Sequence, residues 1–213
     1  MAERKRPRRT RERILETSLL LFNRFGEPHV TTADIADEME ISPGNLYYHF
    51  RNKDEIIGEL FAAFERRLDG LFAVPVGRAN DVEDLWLLLH LLFEVMWEYR
   101  FFYRDLEELL SRNRKLRSGF ALILRRDKAA VIELCRGMVA DGTMRASERE
   151  IATLADNVAL VATYWISYQK LFAERDSEAI SLDRAAYQVL SLISPFLQGA
   201  ARALLDRLSR DYL

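Results

Sequence analysis

The sequence predicts an all-α protein, and three observations carry that expectation. Apolar residues recur at three- and four-residue spacing along almost the whole chain. Helix-start patterns precede several of those stretches: Thr31 with Asp34, Asn52 with Glu55, Asn80 with Glu83 and Ser147 with Glu150. Nine glycines and five prolines in 213 residues are fewer than a strand-rich fold needs for its turns. About nine helices are expected.

The first helix carries Ile14, Ser18, Leu21, Phe22 and Phe25 on one side and stops at Gly26. Thr31 caps a short second helix whose inward face is Ile35, Ala36 and Met39. After Glu40-Ile41-Ser42, Pro43 opens a third short helix, where its missing N–H costs nothing. A fourth starts at Asn52 and carries Ile56, Ile57, Leu60, Phe61, Phe64, Leu68 and Leu71. Val74-Pro75-Val76-Gly77 breaks the pattern. Further helices are predicted from Asn80 to about Tyr99, over Tyr103–Ser111, and from Asn113 to Asp141 with a stop at Gly142. The next runs from Ser147 to about Glu174. The last runs from Leu182 to Arg210, kinked or broken at Pro195, which removes the bond to the carbonyl of Ser191.

Composition excludes several classes. A single cysteine, Cys135, rules out an internal disulfide framework and zinc sites built on paired cysteines, and fits a cytoplasmic setting. Its neighbours Ile132, Leu134 and Met138 predict an inert core thiol. The basic N-terminus lacks the apolar stretch of a secretory signal. The apolar run Leu85–Trp97 contains His90 and Glu94 and is too short for a bilayer, so no membrane association is expected. Metal-ligand spacing, a phosphate-cradling glycine loop and a nucleophile elbow are all missing from the sequence. Paired Glu107-Glu108 reads as a solvated face. No catalytic residue, metal or cofactor is expected.

Charge is unevenly spread. Residues 1–13 hold seven Lys or Arg, among them Arg8, Arg9 and Arg11, and sum to +5, whereas the remaining 200 sum to −7. A basic segment on an otherwise acidic chain points to a polyanion near the N-terminus. A solvated tail is the competing reading. Beside that segment, residues 1–52 have the layout of a helix-turn-helix DNA reader: a helix, a short helix, a tight turn and a second short helix. The third helix places Leu46 and Phe50 toward a small core, with Ile41 before them. Ser42, Gly44, Asn45, Tyr47, Tyr48 and His49 remain outward, short or planar groups suited to phosphates and base edges. Gly44 lets the backbone approach closely.

The stretch Thr31-Thr32-Ala33-Asp34-Ile35-Ala36, then Ile41-Ser42-Pro43-Gly44-Asn45-Leu46-Tyr47-Tyr48-His49-Phe50, then Lys53, resembles the N-terminal signature of the tetracycline-repressor (TetR) family of bacterial regulators. Ile14…Leu21-Phe22…Phe25-Gly26 is similar to that family's first helix. One departure is visible: Glu40 stands where the family usually has glycine, in what reads as a helix-like turn. The resemblance implies a DNA-binding domain over 1–52 and a helical effector-binding and dimerisation domain over 53–213. It implies that Thr31 and Thr32 offer donors to a phosphate, and that Tyr47, His49 and Lys53 hold the DNA backbone. Ser42, Pro43, Gly44, Asn45 and Tyr48 would face bases. Arg8, Arg9 and Arg11 would add sequence-blind affinity along the minor groove. From the residues alone, Tyr47 and His49 also suit domain packing, and Thr31 a plain cap.

The larger half is rich in aromatics, and core packing explains most of them. The resemblance adds a pocket for a small apolar or amphipathic effector, with His90, Phe93, Trp97, Phe102, Tyr103, Tyr164, Trp165, Tyr168 and Gln169 as its candidates. For His90 a satisfied core histidine competes with ligand contact. Val189, Ile193, Phe196, Leu197, Ala200, Leu204 and Leu208 form a stripe in the last helix. That stripe suits a four-helix homodimer interface through the last two long helices, or intramolecular core. The expected function is a regulator, by the resemblance a repressor, that leaves a palindromic operator on binding effector. The alternative is a helical adaptor without sequence-specific DNA affinity, which would not require the basic segment beside the helix-turn-helix pattern.

Overall fold

The computed structural model describes residues 7–72, 82–172 and 182–208. Among them are eleven α-helices: α1 (Pro7–Phe25), α2 (Thr32–Glu38), α3 (Pro43–His49), α4 (Lys53–Phe72), α5 (Val82–Glu98), α6 (Phe101–Arg104), α7 (Leu106–Arg112), α8 (Arg114–Ala140), α9 (Glu148–Lys170), α10 (Leu182–Ile193) and α11 (Gly199–Leu208). The expected Val74–Gly77 break, the Asn80 start and the ends at Glu174 and Arg210 lie outside the described residues. Eleven exceeds the predicted nine for two reasons. The helix expected over Tyr103–Ser111 is two short ones divided at Asp105, whose φ of −107° and ψ of 23° leave the helical region. The last helix is broken at Pro195, in a 3-10 turn over Ser194–Phe196.

Packing divides the chain into two compact units that do not follow its order. One is Met1–Arg67 with Tyr99–Arg117; the other is Leu68–Glu98 with Ser118–Leu213. Residues 53–67 and 99–117, which the sequence reading placed in the larger half, therefore group with the N-terminal helices.

The first unit is built on local signals. Thr31 caps α2 reciprocally: its hydroxyl accepts from Asp34 N–H at 3.2 Å, and the Asp34 carboxylate accepts from Thr31 N–H at 2.7 Å. Those bonds from Thr31, chiefly the backbone one, hold the Asp34 carboxyl below its ordinary value. Ser42 caps α3 through Asn45 N–H, and Asn52 caps α4 through Glu55 N–H at 2.9 Å. Ile14, Phe22, Ile35, Ala36, Leu46, Phe50, Ile56 and Ile57 are buried between the helices. An aromatic cluster joins α1, α4 and α6: Phe22 lies 5.3 Å from Phe101, Phe61 5.4 Å from Phe102, and Phe64 5.8 Å from Phe102.

Two helices end in the same hydrogen-bond pattern. After α8, Gly142 N–H bonds Val139 O and Thr143 N–H bonds Met138 O; after α2, Glu40 N–H bonds Asp37 O and Ile41 N–H bonds Ala36 O. Both are Schellman stops, which need a left-handed residue at the turn. Gly142 has φ +73°, whereas Glu40 has φ +53° and is the one non-glycine with positive φ among the described residues. The turn expected to be helix-like is therefore left-handed at Glu40, where a side chain costs about 1 kcal/mol or more. Replacing Glu40 by glycine is expected to raise stability by about 1 kcal/mol despite glycine's greater unfolded-state freedom. A urea-unfolding midpoint that falls in E40G would refute the strain.

In the second unit, α10 packs on α5 and α9. The connections after α8 and α10 meet in an antiparallel bridge between Met144 and Leu197, with Arg145 N–H to Phe196 O at 2.8 Å and Gln198 N–H to Thr143 O at 2.9 Å. Ion pairs Lys128–Asp156 and Arg136–Glu148 tie α8 to α9. Val189, Ile193 and Leu197 are buried within the chain, so this part of the C-terminal stripe is intramolecular core. Cys135 is buried, which pushes its thiol up to about 11 and keeps it protonated at neutral pH.

Asp127 on α8 is unusual. Burial pushes its carboxyl up to about 7, against a smaller opposing pull from Arg126, and its Oδ1 is buried without a hydrogen-bond partner. The unfolded chain releases this proton near pH 4 and the folded chain near 7, so the group lowers stability progressively as pH rises between those values. Asp127→Asn is expected to flatten that decline. Denaturant unfolding at pH 5 and pH 8 reads it, and an unchanged slope in D127N would place the pH dependence elsewhere.

Candidate nucleic-acid interface

On α3, Leu46 and Phe50 point inward, and Ile41 is half-buried. Ser42, Pro43, Gly44, Asn45, Tyr47 and Tyr48 are exposed, Tyr48 to 79 %. His49 is half-buried with its ring edge-on to Tyr48 at 5.1 Å. Gly44 sits in the first turn, where an added Cβ meets nothing closer than Ser42 Oγ at 4.0 Å. α2 braces this helix through Ile35, Ala36 and Met39 and through a hydrogen bond between the hydroxyls of Thr32 and Tyr47 at 3.1 Å. The result is a short, rigidly capped helix that offers hydrogen-bonding side chains along one open face.

The other candidates are placed differently. The backbone N–H and hydroxyl of Thr31 both donate to Asp34 at 2.7 Å, in the cap described above. Arg8, Arg9 and Arg11 lie in the first turns of α1 and so do not form an extended arm. Arg9 is exposed, whereas Arg11 pairs with Glu59 at 3.0 Å and stacks over Phe50, 4.6 Å from its centroid. Lys53 is engaged inside the unit. Its ammonium donates to the carbonyls of Glu27 and Val30, both at 2.9 Å, and stands 2.8 Å from the Glu27 carboxylate as an ion pair.

Glu27 is the centre of a clasp that no local pattern reveals. Its side chain is fully buried and lies between Lys53 and Arg112. Its N–H donates to Asp105 at 2.9 Å. Arg104 donates to Phe22 O at 2.6 Å and Asn23 O at 3.0 Å, neutralising the exposed carbonyls that end α1. Gly26 turns the chain here with φ +97°, and a Cβ on it would press Arg104 Nη2 at 3.2 Å. The segment Phe101–Arg112 thus fixes the α1–α2 corner and the start of α4. The only sequence hint was an acidic residue wedged between Gly26 and Pro28.

The candidate effector residues are drawn from both units. Phe102 and Tyr103 are buried in the aromatic cluster of the first unit. In the second unit, Phe93 is buried and Trp97 half-buried. His90 is half-buried, with its Nδ1 2.8 Å from the carbonyl of Trp86. Tyr164 and Tyr168 are exposed, while the Trp165 indole N–H and the Gln169 Oε1 are buried. An open hollow in the first unit, lined by Leu21, Phe25, His29, Val30, Asp34, Asp37 and Glu38, carries three carboxylates that suit no phosphate. Among the described residues no group of side chains could hold a metal ion, and no helix is long and apolar enough to cross a membrane.

A braced short helix with an open polar face, following a left-handed turn, defines a helix-turn-helix protein of all-helical build. Residues 14–60 match the family described as "Bacterial regulatory proteins, tetR family", and residues 63–205 match "TetR: Bacterial transcriptional repressor". The chain belongs to the TetR family of bacterial regulators. It is similar to a TetR-family transcriptional regulator from Marinobacter aquaeolei VT8, with 37 % identity, a TM-score of 0.85 and coverage of 95 % of this chain and 98 % of that one. It is 37 % identical to the HTH-type transcriptional repressor KstR2 of Mycobacterium tuberculosis over 90 residues, 40 % of this chain and 44 % of that protein. With the HTH-type transcriptional regulator TtgR of Pseudomonas putida it shares 27 % over 137 residues, 61 % of this chain and 62 % of the relative. The match thus spans about half the length of these curated relatives.

Proposed function

We propose that this protein is a DNA-binding transcriptional repressor released from its operator by a small effector. The observation that carries the reading is the exposed face Ser42–Tyr48 on a helix capped at one end and braced by α2. The face suits base edges in a major groove, where Asn45 and Tyr48 are the groups best placed to discriminate sequence. Tyr47 and His49 flank it as backbone contacts, and Arg9 supplies salt-dependent affinity.

Homodimerisation is part of the proposal, because one short helix reads only a few base pairs and two read a palindrome. The support is on α9, where Leu160, Tyr164 and Tyr168 stand exposed at four-residue intervals, with Leu171 and Phe172 beyond them. A second copy would cover that stripe, as monomers seldom leave such a patch open. Being named as regulators, the relatives favour this over catalysis. The effector site is assigned to the second unit, where seven of its nine candidate residues lie.

The test is a footprint of the full-length protein on the DNA upstream of its own coding region, together with its mass in solution. A protected palindrome bound by a dimer supports the proposal. A monomer with equal affinity for every fragment at moderate ionic strength refutes it and returns the adaptor reading.

A further inference from the structure

Helix α9 keeps one side exposed along its length but changes what that side carries. In the first half Ile151, Leu154, Ala155 and Val158 are buried, while Thr153, Asp156 and Asn157 are exposed. In the second half the same side carries Leu160, Tyr164 and Tyr168, still exposed. The line that began at Ile151 now runs into Trp165 and Gln169. At about 100° per residue, Gln169 stands above Ile151 after about five turns, with Trp165 one turn before it. The indole N–H of Trp165 and the Oε1 of Gln169 are both buried, and neither has a hydrogen-bond partner.

A buried polar atom left without a partner destabilises the fold. A purely structural helix would carry leucine at both positions. One of these groups can only donate and the other accepts, and they sit one turn apart on one face. We infer that Trp165 and Gln169 form a recognition pair for a neutral ligand group that accepts and donates at once: a hydroxyl or carboxamide at the edge of an otherwise apolar molecule. A carboxylate would satisfy Trp165 and repel the Gln169 oxygen. An ammonium would do the reverse, and a hydrocarbon would leave both unpaired. The inference rests on the effector reading proposed above and adds the chemistry that the site selects.

Titration calorimetry of the intact protein with naphthalene, 2-naphthol and 2-naphthoate tests it. 2-Naphthol is expected to bind about tenfold more tightly than the other two, the size of one hydrogen bond to an otherwise orphaned group. W165F and Q169L should each erase that preference and leave the ligand-free melting temperature equal or higher. Three results overturn the pair: no preference for 2-naphthol, including no binding of any probe; a preference that survives both variants; or a lowered melting temperature in each, which would show the groups held internally. Operator affinity is read in the same samples. A 2-naphthol preference that leaves DNA binding untouched supports the pair and counts against the effector reading alone.

Discussion

Glu27→Gln is expected to cost about 3–5 kcal/mol of stability, the range for removing one partner of a buried ion pair. The carboxylate is fully buried and faces Lys53 and Arg112, so neutralising it leaves the Lys53 ammonium without a counter-charge and the Arg112 guanidinium with only Glu108, at 3.8 Å. The expected loss is unequal between the partners. Arg112 is about a third exposed and can turn to water, whereas Lys53 is held by two backbone carbonyls. Arg112→Met should therefore cost well under half of what E27Q costs. The double variant E27Q/K53M should recover part of the loss, because removing both charges leaves neither uncompensated. Urea unfolding of these proteins together with K53M completes the cycle. A midpoint for E27Q within the error of the parent, or a double variant no better than E27Q, would show that the clasp contributes nothing to the fold.

This clasp also marks where sequence reading stops. The first four helices were legible because each carries its own start or stop within four residues: Thr31 with Asp34, Ser42 with Pro43, Asn52 with Glu55, and Gly26 after Phe25. The break at Pro195 was legible for the same reason. The partners of Glu27, by contrast, are remote: Lys53 lies 26 residues away, Asp105 78 and Arg112 85, and nothing near Asp105 or Arg112 announces them. Lys53 illustrates the consequence. Its position after Phe50 marks it as a candidate for the DNA backbone, yet its ammonium faces inward to an acid that only the fold brings there. Apolar periodicity has a related limit. It showed that Val189, Ile193 and Leu197 share a face but not what covers them, and the cover is the same chain. On α9 the aromatic content was plain, while periodicity alone does not say which of two neighbouring aromatics, Tyr164 or Trp165, solvent reaches.

Asn45→Ala and Tyr48→Ala are each expected to weaken operator binding by about 1–3 kcal/mol, roughly ten- to a hundredfold, with little change in affinity for unrelated DNA. The reason is geometric. Both side chains stand on the open face of α3, outside the hydrophobic core, so their removal leaves the unit folded. Their contacts would be to base edges, which release no counterions, and the salt dependence should keep its slope. Arg9→Gln should do the opposite, lowering affinity for all sequences and reducing that slope by about one unit. Lys53→Met separates the two readings of this residue. A phosphate contact would flatten the slope as Arg9→Gln does. An internal strut would cost stability and weaken operator binding while the slope per folded molecule stays as in the parent. The ion pair with Glu27 and the two carbonyl bonds predict the second outcome. Affinities measured for each variant across a series of salt concentrations, on operator and non-operator duplexes and corrected for the folded fraction, decide it. A slope lowered equally by K53M and Arg9→Gln would put Lys53 back on the DNA.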